Sequence, residues 1–204
     1  MLLPALLVAS ALAAPQAAPQ AAAATLTPQE RAFAVKYLEE TRKKFLASID
    51  GLSEAQWTFK AAPDRWSIAE VAEHIAISES TILGLVTAKI VSAPPVPAGT
   101  ERTPDQKVID GVVDRTERFQ APEMLRPTNR WATRDALTKD FNAARDKTEA
   151  YVKETKDDLR GHAAPHPVLK TLDGYQWVLL IAAHSARHTA QIEEVKTAPA
   201  YPKK

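Results

Sequence analysis

Two histidines four residues apart, in His184-Ser-Ala-Arg-His188, carry the first chemical signal of this chain. In an α-helix, residues i and i+4 lie on one face, one turn apart. Two imidazoles so placed can converge on a single metal ion. The preceding stretch, Trp177-Val-Leu-Leu-Ile-Ala-Ala183, is apolar, and Trp177 and Ile181 share the histidine face. That face therefore turns inward. A buried neutral imidazole has one donor and one acceptor to satisfy. Pairs at this spacing also sit on helix surfaces and bond to water, so spacing alone leaves both readings open.

His74 supplies context. It lies in Val71-Ala-Glu-His-Ile75, flanked at i−3 and i+3 by Val71 and Ile77, with the small Ser78 at i+4. Taken alone, His74 reads as a hydrogen-bonded core histidine. A helical bundle that turns it and the His184/His188 pair inward brings three imidazoles together. Three histidines leave coordination positions open for water or substrate, as in catalytic rather than structural sites. Imidazole suits zinc, nickel, iron and copper alike, so the expectation is a divalent ion of open identity. His162 and His166 fall in the Pro-rich turn Gly161-His-Ala-Ala-Pro-His-Pro167 and read as loop residues, with a role at the mouth of the site left open. Gln191, one turn beyond His188, suits a ligand contact or a core-edge amide equally. Glu70 is explained by helix capping. Glu73 points about 100° away from His74 and is a poor direct partner. Trp57, Trp66, Trp131 and Trp177 read as core.

The elements that must position these residues are helical. Thr27-Pro28-Gln29-Glu30 has the pattern of a capping box with proline at the first helical position. It opens a helix through Leu38, Phe45, Leu46 and Ile49 that ends at Gly51. Residues 52–66 form a connection. Ser67-Ile-Ala-Glu70 is a second capping box and starts a helix to about Val91. Ala93-Pro-Pro-Val-Pro-Ala-Gly99 is a surface loop. Thr103-Pro104-Asp105-Gln106 repeats the capping pattern and opens a short amphipathic helix near Val108–Val113. A third long helix is predicted over about 133–155, and a fourth from Asp173, as its cap, to about Lys196. No segment alternates as strands do. The expected fold is all-α: a four-helix bundle of up-down type, with a long second-to-third connection carrying a short extra helix.

Composition excludes several classes. The chain of 204 residues has a formal net charge of +1 and no cysteine. Disulfides, thiolate metal ligands and a protein thiol nucleophile are thereby excluded. No basic stripe interleaved with aromatics is present, so nucleic acid is not an expected partner. The apolar run Met1–Ala13, ending Ala11-Leu12-Ala13, resembles a signal peptide, although no Lys or Arg precedes it. It is shorter than the roughly 20 residues that span a bilayer. Residues 1–26 thus read as a signal peptide and Ala/Pro/Gln-rich linker, 27–198 as the bundle and 199–204 as a disordered tail. The expected location is periplasmic or secreted, with no membrane span in the mature protein. A homodimer is left open.

Trp66-Ser67 ahead of a helix bearing His74, then Trp177 and His184-Ser-Ala-Arg-His188-Thr-Ala-Gln191-Ile192 on the last helix, resembles the DinB-like superfamily over about residues 30–196. The resemblance implies that His74, His184 and His188 ligate a divalent metal. It supports the site better than any one reaction: a metal-dependent enzyme acting on a small molecule would do thiol transfer if the ion holds a thiolate, or hydrolysis if it activates water. The alternative is a non-catalytic bundle that holds a metal or a small ligand. A purely structural bundle with unligated histidines is the third possibility.

Overall fold

Each long helix begins where a side chain satisfies its free amide groups. In the computed structural model, which describes residues 25–97 and 99–203, helix α1 (Pro28–Ile49) is capped by Thr27. Glu30 reaches back to the Thr27 amide at 2.8 Å. Ser67 and Glu70 cap α3 (Ile68–Leu85), which runs on as a π-helical turn, Val86–Ile90. Thr133 caps α5 (Arg134–Glu154), and Asp173 with Gln176 caps α6 (Gly174–Lys196). These caps, reciprocal at α1, α3 and α6, fix the starting points that set each helix's phase. Gly51 ends α1 in the left-handed region, φ 59°, which glycine adopts without strain.

Three features depart from the sequence reading. The 52–66 connection contains a short helix, α2 (Glu54–Trp57), capped by Ser53. The short helix α4 (Asp105–Val113) starts after Pro104 without a side-chain cap. Its Asp105 bonds Arg160 instead, and the Thr103 carbonyl accepts from Gln176. The 161–173 segment is not merely a turn. It forms an antiparallel hairpin of β1 (Ala163–His166) and β2 (Lys170–Asp173), with Ala163 opposite Asp173 and His166 opposite Lys170. Four-residue strands are too short to show alternation, which explains their silence in the sequence.

α1, α3, α5 and α6 form the four-helix bundle. Paired contacts fix their directions. Glu30 meets Tyr175 at one end and Phe45 shares a core with Ile192 at the other, so α1 and α6 run together. Arg31 bonds the Val152 carbonyl while Arg42 bonds that of Asn142, so α1 and α5 are antiparallel. The helices consecutive around α2, α1 and α3, sit on opposite corners, each flanked by α5 and α6. The long 91–133 connection crosses α6 through α4 and supplies one wall of the site.

Two apolar clusters fill the bundle. One, near Ile82, Val86, Val152 and Tyr175–Ala183, includes Leu26, the last residue assigned to the linker. The other gathers Phe45, Ile68, Ile75, Phe141 and Ile192. Between them lies a buried polar layer. Arg145 donates to Glu79 through Nε at 2.9 Å and through Nη2 as well. It also donates to the Leu38 carbonyl at 2.5 Å, to Thr41 at 2.9 Å and to Ser185 at 2.9 Å. Ser185 in turn donates to Glu79 at 2.9 Å. All four bundle helices meet there. At one end, Arg160 bonds Glu30, Asp105 and Asp173, joining the first turns of α1 and α4 to the cap of α6.

Residues 1–24, which hold the expected signal peptide and nearly all of the linker, lie outside the described residues. The C-terminal segment stays packed instead of ending at 198. Tyr201 stacks edge-on against Phe59 at 5.5 Å, and Gln56 donates to the Pro202 carbonyl at 3.0 Å. No described helix is long and apolar enough to cross a membrane.

Removing one partner from a buried charge pair strands the other. Arg145→Leu is therefore expected to destabilise by about 3–5 kcal/mol. Arg145→Leu combined with Glu79→Leu is expected to recover a large part of that loss. Urea unfolding of the two variants checks this; equal losses would show that the charge pair is not the cause.

Candidate metal centre

The antiparallel packing of α3 on α6 brings the three predicted histidines together. The Nε2 atoms of His74 and His184 are 3.1 Å apart. One ring nitrogen from each of His74, His184 and His188 lies within 4.8 Å of the others. Two imidazole nitrogens on one zinc-sized ion, bound at roughly 2.0–2.1 Å in a tetrahedron, are roughly 3.3 Å apart. The His74–His184 spacing matches that value, and the rest of the group, within 4.8 Å, closes onto a shared ion by a shift of up to about 1.5 Å.

The outer ring nitrogens orient the inner ones. His74 Nδ1–H donates to the Leu125 carbonyl at 2.7 Å, and His188 Nδ1–H donates to Gln191 Oε1 at 2.8 Å. Each bond fixes the tautomer that turns an Nε2 lone pair inward, as metal-ligating histidines require. Gln191 thereby has a definite role, that of holding His188. Trp66 packs on the His74 ring at 5.1 Å.

All three imidazoles are held neutral. Burial lowers His74 below the ordinary histidine range, against the opposing Leu125 hydrogen bond. Burial, then the neighbouring His188 and His74, lowers His184 well below it. Burial, reinforced by His74, brings His188 down to about 3. Neutral imidazole is the metal-binding form.

Glu73, dismissed as a direct partner by its helical angle, acts one step away. Its buried carboxylate accepts from the backbone amides of Thr128 at 2.7 Å, Asn129 at 3.0 Å and Arg130 at 3.2 Å. Asn129 takes a left-handed conformation, φ 60°, to turn its amide inward. This clamp holds the loop whose Leu125 carbonyl orients His74. Only the contact between α3 and a loop more than 50 residues away reveals it. The adjacency of an acid to a ligand histidine was the one available signal.

The histidines close the base of a cleft of about 1010 Å³. Trp66 and Trp177 line it, which corrects their assignment as core alone; Trp57 is buried as expected. His166 lines it too, stacked on Trp177 at 5.3 Å. Its Nδ1 accepts from the Val168 and Leu169 amides at 3.2 and 3.1 Å, so Nε2 carries the proton and is a donor. His162 is elsewhere, with Nδ1–H donating to the Ala93 carbonyl at 2.6 Å. Glu70 caps α3 and bonds Lys60, so it is spoken for.

A four-helix bundle with three convergent histidines on two facing helices defines the class of this protein. The chain belongs to the DinB superfamily, whose family profile matches residues 37–192. It is similar to the uncharacterized protein YuaE of Bacillus subtilis (strain 168), 25% identical over 157 residues that cover 77% of this chain and 93% of YuaE. Among solved structures it resembles YfiT from Bacillus subtilis, described as "a probable metal-dependent hydrolase with an unusual four-helix bundle topology". The TM-score is 0.54 at 15% identity, over 92% of this chain and 95% of YfiT. It also resembles TT2238, a four-helix bundle protein, at TM-score 0.47 and 21% identity, over 80% of this chain and 98% of that one.

The lowered histidines have a consequence for stability. Unfolded, each takes up a proton near pH 6.5; folded, each resists it. Stability is then fully present above about pH 6.5 and is lost as pH falls toward the folded values. The metal-free protein is expected to lose stability as pH falls below about 6.5, by up to about 1.4 kcal/mol per pH unit from His188, whose loss continues toward about pH 3, with His184 and His74 adding in the same direction. His188→Gln should flatten that slope. Denaturant unfolding across this range checks it; an unchanged slope would remove His188 from the account.

Proposed function

We propose that this chain is a metal-dependent hydrolase acting on a small molecule, with His74, His184 and His188 as the metal ligands. The convergence of three neutral imidazoles, two of them anchored through their outer nitrogens, at the base of an open cleft carries this reading. YfiT, a neighbour in fold, is described as a probable metal-dependent hydrolase, which agrees with it. Zinc, nickel and iron all suit three imidazoles.

When bound, the ion supplies Lewis-acid activation of a water and of a substrate carbonyl. The chain does the rest. Leu125 and Gln191 hold the ligand rings in orientation. Trp66 and Trp177 present apolar walls that exclude bulk water. His166 offers an Nε2–H donor toward the cleft. In the reaction, a water oxygen adds to the acyl carbon, the bond to the leaving group breaks, and the water proton passes to the leaving atom.

Thiol transfer is the second reading. The cleft carboxylates are Asp64, Glu70 and Glu194. Glu194 is held by Arg115, and Glu70 by its cap and Lys60. Neither is available as a general base, which a thiolate nucleophile would not require.

Purified protein is expected to carry about one divalent ion per chain and to hydrolyse 4-nitrophenyl acetate until a chelator removes the ion. His184→Ala should abolish both metal content and hydrolysis while the helical circular dichroism persists. Full metal content without turnover of esters, or of 1-chloro-2,4-dinitrobenzene with a thiol, would leave a metal-binding bundle that is not an enzyme. Absence of metal would end the reading.

We further infer that the enzyme is exported, from the apolar run ending Ala11-Leu12-Ala13. The mature protein from its native host should lack the N-terminal stretch by intact mass. A cytoplasmic protein that retains Met1 would contradict this.

A further inference from the structure

The cleft above the histidines has a second chemistry in its lining. Five arginines line the cleft, Arg65, Arg115, Arg118, Arg126 and Arg187, against three carboxylates. Two of those carboxylates are engaged, Glu194 in a two-point pair with Arg115 and Glu70 with Lys60. Asp64 stands 4.0 Å from Arg65. Arg118, Arg126 and Arg187 have no carboxylate bonded to them among the described residues. Arg187 is instead clamped by backbone carbonyls of Val112, Asp114 and Glu117, and it lies over the Phe119 ring at 5.7 Å. Arg126 uses Nε on the Ala121 carbonyl at 3.1 Å, leaving its outer nitrogens to the cleft. Carbonyl clamps hold a guanidinium in place, and Asp114 and Glu194 are the acidic groups that act on Arg187. Five guanidinium groups against three carboxylates leave the cleft lining net positive, and guanidinium matches carboxylate and phosphate geometry.

The same cleft is apolar at its mouth. Of four exposed large apolar side chains among the described residues, three line it: Phe119, Met124 and Val168. Exposed apolar groups scatter singly on ordinary surfaces, so their grouping around one opening marks a binding surface. Trp66 and Trp177 continue the apolar lining inward to the histidines. A cleft of this volume is in the range that encloses a small organic ligand.

We propose that the substrate is a small organic acid with an apolar body: its carboxylate or phosphate is bound by Arg118 and Arg126 under the field of Arg187, its apolar part lies against Phe119, Met124 and the tryptophans, and its scissile group reaches the histidines. This rests on the hydrolase reading for what happens at the histidines, and on the cleft wall alone for the choice of anion. Arg118 and Arg126 are exposed and belong to the 114–133 connection outside the bundle core, so their replacement is expected to leave the bundle folded, with only the Arg126–Ala121 loop bond lost.

The test is binding, separate from turnover. The full-length protein, metal-free and zinc-loaded in parallel, is titrated at pH 8 and low salt with 4-phenylbutanoate and with its neutral amide, 4-phenylbutanamide. Tryptophan fluorescence and calorimetry are the readouts. The acid is expected to bind about ten-fold or more tightly than the amide, in both metal states, with the preference shrinking as salt rises. Arg118→Gln with Arg126→Gln should erase the preference and leave amide affinity unchanged. Equal binding of acid and amide, no binding of either, a preference that survives the double substitution, or one that appears only with zinc would each overturn the assignment. Loss of metal binding or of hydrolysis with the acid preference intact would instead fail the hydrolase reading and leave the anion site standing.

Discussion

The buried contact of Arg145 with Glu79 is the constraint on which the rest of the structure depends. All five guanidinium N–H groups are used: on Glu79 of α3, on the Leu38 carbonyl and Thr41 of α1, and on Ser185 of α6, with Arg145 itself on α5. A charge this deep is tolerable only with complete pairing. A slip of any helix by one turn would leave part of it unpaired. Apolar packing on either side is permissive about register; this layer is not. Ser185 follows His184, and Glu79 lies about one turn beyond His74, so the layer that sets the register of α3 against α6 also sets the histidine cluster.

From that register the site is assembled outward in steps. The helices bring three imidazoles together. A carbonyl from a loop and an amide from α6 fix two of their tautomers. A buried carboxylate, Glu73, fixes the loop that bears the carbonyl. Each step orients the one inside it, which is how a metal site reaches useful precision on a scaffold of ordinary helices. Desolvation keeps the rings neutral, at a cost to stability in acid that the metal-free protein bears.

The long connection between α3 and α5 has two functions in this arrangement. It carries α4, which packs on α6, and it then folds back over the histidines as a loop rich in arginine and exposed apolar side chains. The bundle supplies the three histidines, while this segment lines the cleft in front of them. That division is common where chemistry sits on rigid elements and selectivity on loops.

The sequence by itself determined the long helices and the identity of the three histidines that meet. Capping boxes at Thr27 and Ser67, the Asp173 cap and the apolar stripes are local signals, readable because helix geometry relates residues three and four apart. His184 and His188 were paired by that same geometry, and His74 by its apolar face and by resemblance. Tertiary structure alone decided what depends on contacts between distant segments. The diagonal placement of α1 and α3, the pairing of Arg145 with Glu79, the clamp from Glu73 to residues 128–130 and the presence of Arg118 and Arg126 in the cleft that holds the histidines are of this kind. The hairpin at 163–173 was hidden for another reason: its contacts are local, but its four-residue strands are too short to carry a period. Helical periodicity acts over one or two turns, whereas the Glu73 clamp and the Arg145 bonds join residues 40 to more than 100 positions apart, and only the packed bundle brings them within reach.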